Sequence, residues 1–151
     1  AKILTAAWIR GDCAEWDSTD GAVIDAYFER WGAMPGTFNA HYYQSYSPRN
    51  PDSIAFMQCF LDKLTQKKLG GKVVSDRVRI TEFGWSGFDE LYGTEANVIA
   101  FMNYFIPWLK TQPRIERWFW WQWSTNSFFI RDGQITNTGK CYQKLAGGIP
   151  C

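Results

Sequence analysis

A carboxylate, an imidazole and two indole rings each stand near the end of a short apolar run, at similar intervals along the chain. In order they are Trp8, His41, Glu82 and Trp120, which are 33, 41 and 38 residues apart. An ionised carboxylate can attack an electrophilic carbon, and an imidazole beside it can donate a hydrogen bond that holds it in place. Aromatic rings offer a flat apolar surface to a flat ligand. The set therefore indicates nucleophilic chemistry on a ring-shaped substrate.

The intervals between these residues match strands that alternate with helices. Strands are predicted over Ile3–Ile9, Thr37–Tyr43, Val73–Val74 with Val78–Phe83, and Ile115–Trp123. Apolar residues recur at helical spacing between and after them, within Val23–Trp31, Ile54–Leu64 and Val98–Leu109, and a shorter helix is predicted over Thr138–Leu145. Four βα units in this order predict an α/β protein with a parallel sheet.

Two architectures accommodate four βα units: an open doubly wound sheet and part of a (β/α)8 TIM barrel. The open sheet usually carries a glycine-rich phosphate turn after its first strand. The corresponding turn, Trp8–Asp12, has no such pattern. A complete barrel needs about 200 residues or more, so 151 residues with four strands predict about half of a TIM barrel.

In both architectures the functional groups collect at the carboxyl ends of the strands. Side chains alternate between the two faces of a strand, so His41 and Tyr43 are predicted to share one face. By the same rule Glu82 is predicted to share its face with Val78 and Ile80.

The overall composition favours a sugar over other flat ligands. Sixteen basic residues against fifteen acidic ones leave a formal charge of +1, so no basic field attracts nucleic acid. Aromatic residues make up 18% of the chain, which indicates both an aromatic core and a stacking surface. No window reaches the ~18 apolar residues that a membrane span needs, so no membrane partner is expected. The length prior predicts a single domain over residues 1–151.

The cysteines indicate disulfides rather than a metal site. The chain has four cysteines and one histidine, without a Cys-x-x-Cys pair, so neither a metal nor a cofactor is expected. Of three pairings we favour Cys13–Cys59 with Cys141–Cys151, which predicts a secreted or extracellular protein. Buried free thiols in a cytosolic protein are the alternative.

Three short segments together resemble the C-terminal half of the clan A glycoside hydrolases. They are His41-Tyr42-Tyr43, Ile80-Thr81-Glu82-Phe83-Gly84 and Ile115–Trp120. Their order and spacing, over roughly Ala7 to Trp123, are most similar to the small-barrel glycosyl hydrolase catalytic core group that includes endo-β-1,3-glucanases. The resemblance implies that the four βα units correspond to β5–β8 of a complete barrel.

The resemblance also implies roles for individual residues. Glu82 matches the nucleophile of a retaining glycosidase, and the polar and aromatic residues around it match the lining of the sugar cleft. Positive charge beside Glu82 is expected from Arg10 or Arg79. The predicted substrate contacts are Trp8, His41, Tyr43, Trp85, Trp120 and Trp123.

The sequence has no clear acid/base partner for Glu82. In the family this residue is a glutamate that follows an asparagine at the end of the fourth strand, and the sequence contains no Asn-Glu dipeptide. Glu15 is a candidate because it falls in the loop after the first predicted strand. Asp12 falls in the same loop, and Asp89 falls in the loop after the third strand. A solvated loop carboxylate is the simpler interpretation of Glu15.

Two functions therefore remain open. The chain is either half of a retaining hydrolase of β-glucan-type polysaccharide, with its acid/base outside this chain, or a non-catalytic carbohydrate-binding or structural protein derived from such a barrel. Both predict a polysaccharide or oligosaccharide ligand. The half-barrel also predicts exposed edge strands, and hence association with itself or with a companion chain or segment that supplies the first half.

Overall fold

The structure is a computed structural model that describes residues 3–4, 26, 29–30, 36–44, 51–66, 68–69, 72–73, 77–85, 93–122, 126 and 128–151. Its strands are β1 (Ile3–Leu4), β2 (Gly36–Gln44), β3 (Lys68–Leu69), β4 (Lys72–Val73), β5 (Val78–Trp85), β6 (Ile115–Trp120), β7 (Ile130–Arg131) and β8 (Gln134–Ile135). Its helices are α1 (Pro51–Gln66), α2 (Glu95–Thr111) and α3 (Asn137–Ala146). These elements confirm the predicted α/β class.

Four strands form one sheet in the order β1-β2-β5-β6. β1 pairs with β2 in parallel. β5 and β6 are also parallel, because hydrogen bonds join them at both their starts and their ends. The N–H of Val78 donates to the carbonyl of Arg114 and the N–H of Trp121 donates to the carbonyl of Phe83, each at 2.8 Å. The predicted parallel sheet is therefore confirmed, whereas the half-barrel stays a prediction.

Two predicted elements fall mainly outside the described residues. Of the predicted strand Ile3–Ile9 the structure describes the part that forms β1. Of the predicted helix within Val23–Trp31 it describes Ala26, Glu29 and Arg30, which are helical and exposed.

At the other end of the sheet, β6 ends at Trp120, three residues earlier than predicted.

Helix α2 forms for the reasons that the sequence indicates. The Thr94 side chain caps its first turn by accepting a hydrogen bond from the N–H of Asn97 at 3.3 Å. Pro107 does not end the helix, which continues to Thr111. The buried side chains are those of the predicted apolar face: Val98, Phe101, Met102, Phe105, Ile106 and Leu109.

Helix α1 begins at Pro51, three residues before the predicted apolar positions within Ile54–Leu64. Proline suits a first helical turn, because the N–H that it lacks would have no partner within the helix. The helix buries Met57, Phe60 and Leu61. The Phe60 ring lies 5.8 Å from the ring of Phe38 on β2, measured between centroids.

The chain forms two compact units, each assembled from three stretches. The first unit comprises Ala1–Tyr42, Ile54–Glu82 and Arg114–Phe119, and its buried core includes Phe38, Met57, Phe60, Leu61, Val78 and Ile80. The second comprises Tyr43–Ser53, Phe83–Pro113 and Trp120–Cys151, and its core includes the buried face of α2 with Phe83 and Trp85. Among the described helices, none is long and apolar enough to cross a membrane.

The C-terminal helix is tied down at both ends. The Thr136 side chain caps α3 by accepting a hydrogen bond from the N–H of Gly139 at 3.0 Å. A disulfide joins Cys141 on the helix to Cys151, which confirms this predicted pair. Cys59 is also disulfide-bonded, but its predicted partner Cys13 lies outside the described residues.

Removing the Cys141–Cys151 disulfide is expected to lower the free energy of unfolding by about 2–3 kcal/mol, because the bond restricts a short loop of the unfolded chain. The two cysteines are 10 residues apart. The measurement is urea denaturation of the double variant Cys141→Ala, Cys151→Ser. Substitution is preferable to a reductant, which would also cleave the bond at Cys59. An unchanged free energy of unfolding would show that this bond contributes nothing to stability.

Candidate functional site

Strands β2 and β5 bring His41 and Glu82 into contact. The Nδ1 atom of His41 lies 3.4 Å from the Oε2 atom of Glu82. The two residues are 41 positions apart in sequence, and they meet because each lies in the second half of one of two neighbouring strands. Their side chains retain 16% and 27% of their exposure, respectively. The pair is therefore shielded enough to be held in place and open enough to meet a ligand.

The geometry of this pair suits a carboxylate that acts on a ligand. Nδ1 lies close enough to Oε2 for an Nδ1–H group to hold the carboxylate in place, while the partial exposure of Glu82 leaves part of its side chain accessible. Such a group can accept hydrogen bonds from hydroxyl groups or attack an electrophilic carbon. The predicted proximity of His41 to Glu82 is thus realised in the structure.

A carboxylate on β6 shows which residues share the His41 face of the sheet. The Oε2 atom of Glu116 accepts hydrogen bonds from the Thr37 hydroxyl and from Nε of Arg79, both at 3.0 Å. Because β5 lies between β2 and β6, the three side chains meet over the same face of β5. Thr37 and His41 are four residues apart on β2, so alternation places them on that face together.

Strand β5 does not keep strict alternation. Arg79 reaches the face of Thr37, and Glu82 reaches the face of His41. These two residues of β5 are three positions apart, so regular alternation would direct them to opposite faces. An extra residue between them, as in a β-bulge, re-aims the later side chain in this way. Such irregularities are common beside active sites.

This geometry corrects two predictions about Glu82. Its predicted face-mates Val78 and Ile80 are core residues, with 1% and 0% exposure, whereas Arg79 shares the Glu82 side of the sheet. Arg79 was also expected to place positive charge beside Glu82, but its Nε atom binds Glu116 instead. Regular alternation along β5 does not predict the face of Glu82, because the irregularity lies between the aliphatic residues Val78 and Ile80 and the Glu82 carboxylate.

The aromatic candidates belong to the second unit and differ in exposure. Trp120 is half-buried: its ring meets Phe83 edge-on at 5.2 Å and stacks on Phe129 at 6.3 Å. Trp85 is 1% exposed and lies 5.9 Å from the Phe101 ring. Its ring presents no open face to a ligand, so the prediction of Trp85 as a substrate contact is corrected to a core role.

The remaining predicted positions lie on β2 or outside the described residues. Tyr43 is half-buried near the end of β2. Trp8 and Trp123, together with Arg10, Asp12, Glu15 and Asp89, lie outside the described residues. Within the residues that are described, no cluster of three or more His, Cys, Asp or Glu side chains could hold a metal ion.

The glycine of the Glu82-Phe83-Gly84 segment has a local packing reason. A Cβ atom at Gly84 would lie 2.8 Å from the carbonyl oxygen of Trp121. That close approach accompanies the hydrogen bond from the Trp121 N–H to the Phe83 carbonyl. Gly84 therefore allows β5 and the end of β6 to pair directly after Glu82.

The role of Glu116 and its partner Thr37 is not among the predictions made from the sequence. A signal was present, since Glu116 is the only acidic residue of a strand that otherwise holds Ile115, Arg117 and three aromatic side chains. A carboxylate in such a strand needs hydrogen-bond donors when it is largely buried. Its actual donors come from β2 and β5, which adjacency in sequence does not reveal.

In α/β enzymes and ligand-binding proteins the functional side chains lie at the carboxyl ends of parallel strands, and the His41–Glu82 pair lies toward those ends in this sheet. Over residues 26–142 the sequence matches the family model described as glycosyl hydrolase catalytic core. That match covers more than half of the 151 residues, and the chain belongs to this family.

The chain was also compared with curated proteins and with solved structures. The search of curated proteins found no match. The fold is similar to the crystal structure of a GH128 (subgroup VII) oligosaccharide-binding protein from Cryptococcus neoformans, with a TM-score of 0.56 and 15% sequence identity. The likeness covers 89% of this chain and 59% of that protein. The chain thus spans well under two-thirds of the length of this structural neighbour.

Proposed function

We propose that the chain is the C-terminal half, β5–β8, of a (β/α)8 barrel that hydrolyses a β-glucan with retention of configuration. Glu82 acts as the nucleophile, and His41 holds its carboxylate. The observation that carries the proposal is the His41–Glu82 contact on neighbouring parallel strands. Membership of the glycosyl hydrolase catalytic core family supports it. In this proposal residues 1–151 work as one domain.

The proposed chemistry needs two carboxyl groups about 5–5.5 Å apart. Glu82 attacks the anomeric carbon and forms a glycosyl ester, while a protonated carboxylic acid gives its proton to the departing sugar oxygen. That second group then takes a proton from water, and the water cleaves the ester and restores Glu82. In this proposal the acid/base lies on a companion chain or segment.

Two features support the need for a companion. The chain spans 59% of its structural neighbour. Among the described strands β6 stands at one end of the sheet order, and its Phe119 side chain is 51% exposed. An edge strand with an exposed aromatic residue is a surface that natural proteins usually cover.

The disulfide bonding supports an extracellular location for the assembly.

The alternative function is carbohydrate binding without hydrolysis. The sequence lacks the Asn-Glu dipeptide of the family's acid/base, and the structural neighbour is an oligosaccharide-binding protein. The native mass separates the two functions. A protein of 17.5 kDa with no companion would exclude hydrolysis by the proposed pair of carboxylates and leave binding as the function.

The test common to both functions is calorimetric titration with β-1,3-linked gluco-oligosaccharides. The wild-type protein is expected to bind them, and Trp120→Ala is expected to weaken binding about tenfold, which is the effect of losing one well-packed aromatic contact. Trp108→Ala is a matched control, since Trp108 is a half-buried tryptophan on α2 and is expected to leave the affinity unchanged. If the wild-type protein binds no gluco-oligosaccharide, both functions are rejected for this substrate class.

A further inference from the structure

Glu116 joins three strands of the sheet through one side chain. It projects from β6, and its Oε2 atom accepts hydrogen bonds from Thr37 on β2 and Arg79 on β5, both at 3.0 Å. Its Oε1 atom accepts a further hydrogen bond from Nη1 of Arg77 at 3.0 Å, just before β5 begins. Both carboxylate oxygens are thus engaged in binding the starts of neighbouring strands.

The strands that Glu116 holds are those that carry the candidate site. Thr37 precedes His41 by four residues on β2, or about 13 Å of extended chain, and Arg79 precedes Glu82 by three residues on β5, or about 10 Å. Glu116 therefore does not need to touch the pair in order to control it. Its hydrogen bonds tie together the two strands on which the pair lies.

The irregularity in β5 makes the placement of Arg79 decisive for Glu82. A bulge inverts the alternation of faces once. The face of each side chain after the bulge therefore follows from the face of the residues before it. Arg79 is held on the His41 face of the sheet by Glu116, and Glu82 follows on that face after the irregularity. If Arg79 left this face, the strand would lose a contact that fixes the direction of the Glu82 side chain.

Burial makes the hydrogen bonds of Glu116 effective. The Glu116 side chain is 15% exposed and that of Arg79 is 23% exposed, whereas Arg77 is 58% exposed. Charge-assisted hydrogen bonds between shielded groups are stronger than those between solvated ones. The Arg79 contact therefore contributes more to the arrangement than the Arg77 contact, which solvent screens.

We propose that Glu116 is a positioning residue for the His41–Glu82 pair: through Thr37 and Arg79 it keeps Glu82 on the face of His41. The relevance of this role to sugar chemistry rests on the proposed function. The role itself concerns the orientation of two side chains and can be measured without any substrate.

The experiment uses the fact that His41 is the only histidine of the chain. Its imidazole resonances in NMR spectra of the folded full-length protein report directly on the contact with Glu82. In Glu116→Gln they are expected to shift in the direction that Glu82→Gln produces, and gluco-oligosaccharide affinity is expected to fall about tenfold, as for misplacement of a site residue.

The matched control is Asp62→Asn, which removes a carboxylate from another ion pair of the same unit. Asp62 Oδ1 accepts a hydrogen bond from Nη1 of Arg114 at 3.0 Å, and its side chain is 47% exposed. This variant is expected to leave the His41 resonances in place. If Glu116→Gln lowers thermal stability while the His41 resonances also stay in place, Glu116 is merely structural and the inference is overturned.

A second variant covers the case in which Glu116→Gln does not fold. Thr37→Val keeps the shape of the side chain and removes only the hydroxyl donor, so a smaller shift of the His41 resonances in the same direction is expected. No shift in this variant would also count against the inference. Failure of the proposed function is a separate result, because it would remove oligosaccharide binding from the wild-type protein without altering the effect of Glu116→Gln on His41.

Discussion

Glu82→Gln is expected to lower β-1,3-glucan hydrolysis about 10⁴-fold or more in the protein combined with the companion proposed above, as is usual when a catalytic nucleophile is lost. Oligosaccharide binding is expected to stay within about threefold of wild type, because glutamine keeps the shape and most hydrogen-bonding capacity of glutamate. The measurements are release of reducing ends and calorimetric titration. The large effect follows because an amide cannot replace an ionised carboxylate as the attacking group.

The control is Glu29→Gln, the same chemical change at an exposed helical position. It is expected to leave hydrolysis and binding unchanged. Turnover that survives in Glu82→Gln would show that another carboxylate is the nucleophile. A wild-type protein that binds the oligosaccharide and does not cleave it would favour the non-catalytic function, with the His41–Glu82 contact serving recognition.

Gly139→Ala is expected to destabilise the fold by about 2 kcal/mol, although alanine is the better helix former. A Cβ atom at Gly139 would lie 2.5 Å from the carbonyl oxygen of Phe129 and 3.1 Å from its Cα atom. Backbone atoms cannot move aside as a flexible side chain does, so the overpacking cost of ~1–3 kcal/mol or more exceeds the ~1 kcal/mol that alanine contributes to helix propensity. Urea denaturation monitored by circular dichroism measures the difference.

Gly147→Ala at the end of the same helix supplies the control. Its backbone has an ordinary φ of −76°, and an added Cβ would meet its nearest atom, the Lys144 carbonyl oxygen, at 3.4 Å. This variant is expected to be neutral or to stabilise by about 0.4–1 kcal/mol through a less flexible unfolded chain. Equal stability of the Gly139→Ala and Gly147→Ala proteins would contradict the close packing of α3 against Phe129.

The packing around Phe129 also joins α3 to the aromatic row that begins at Trp120. Phe129 stacks on Trp120 at 6.3 Å and lies 4.7 Å from the Tyr142 ring. Burial raises the pKa of Tyr142 above its usual 10.0, so its phenol is neutral at physiological pH. A displaced α3 would therefore disturb the support of Trp120, which is the aromatic residue proposed to contact the sugar.

Local sequence patterns predicted the helices well because their causes are local. The apolar face of α2 recurs every three or four residues, and a threonine before an acidic first turn supplies its cap. Helix α3 was predicted over Thr138–Leu145 and is observed over Asn137–Ala146. Apolar periodicity and capping act within one or two turns, so the sequence displays them directly.

The hairpin formed by β7 and β8 has a local sequence signal that was not among the predictions. Asp132 and Gly133 have φ values of 50° and 74° and connect β7 to β8. An Asp-Gly pair with both residues in the left-handed region is the usual turn of a two-residue hairpin. The flanking strands have two residues each, too short to show an alternating pattern, so the turn residues were the only indication.

The side on which Glu82 lies depended on contacts between distant segments. Counting residues along β5 grouped Glu82 with Val78 and Ile80, whereas the structure groups it with Arg79 through His41 and Glu116. A strand irregularity shifts every later side chain to the other face, and its presence is set by partners on neighbouring strands. The burial of Trp85 has the same origin, since its neighbour Phe101 comes from α2.

By itself the sequence determined the α/β class, the helices α1, α2 and α3, the C-terminal disulfide and the candidate residues His41 and Glu82, because periodicity, capping and residue chemistry are properties of short segments. The tertiary structure decided which candidates meet, which aromatic ring is core, and how Glu116 ties β2, β5 and β6 together. These features depend on residues tens of positions apart, whose approach is fixed by strand register and packing.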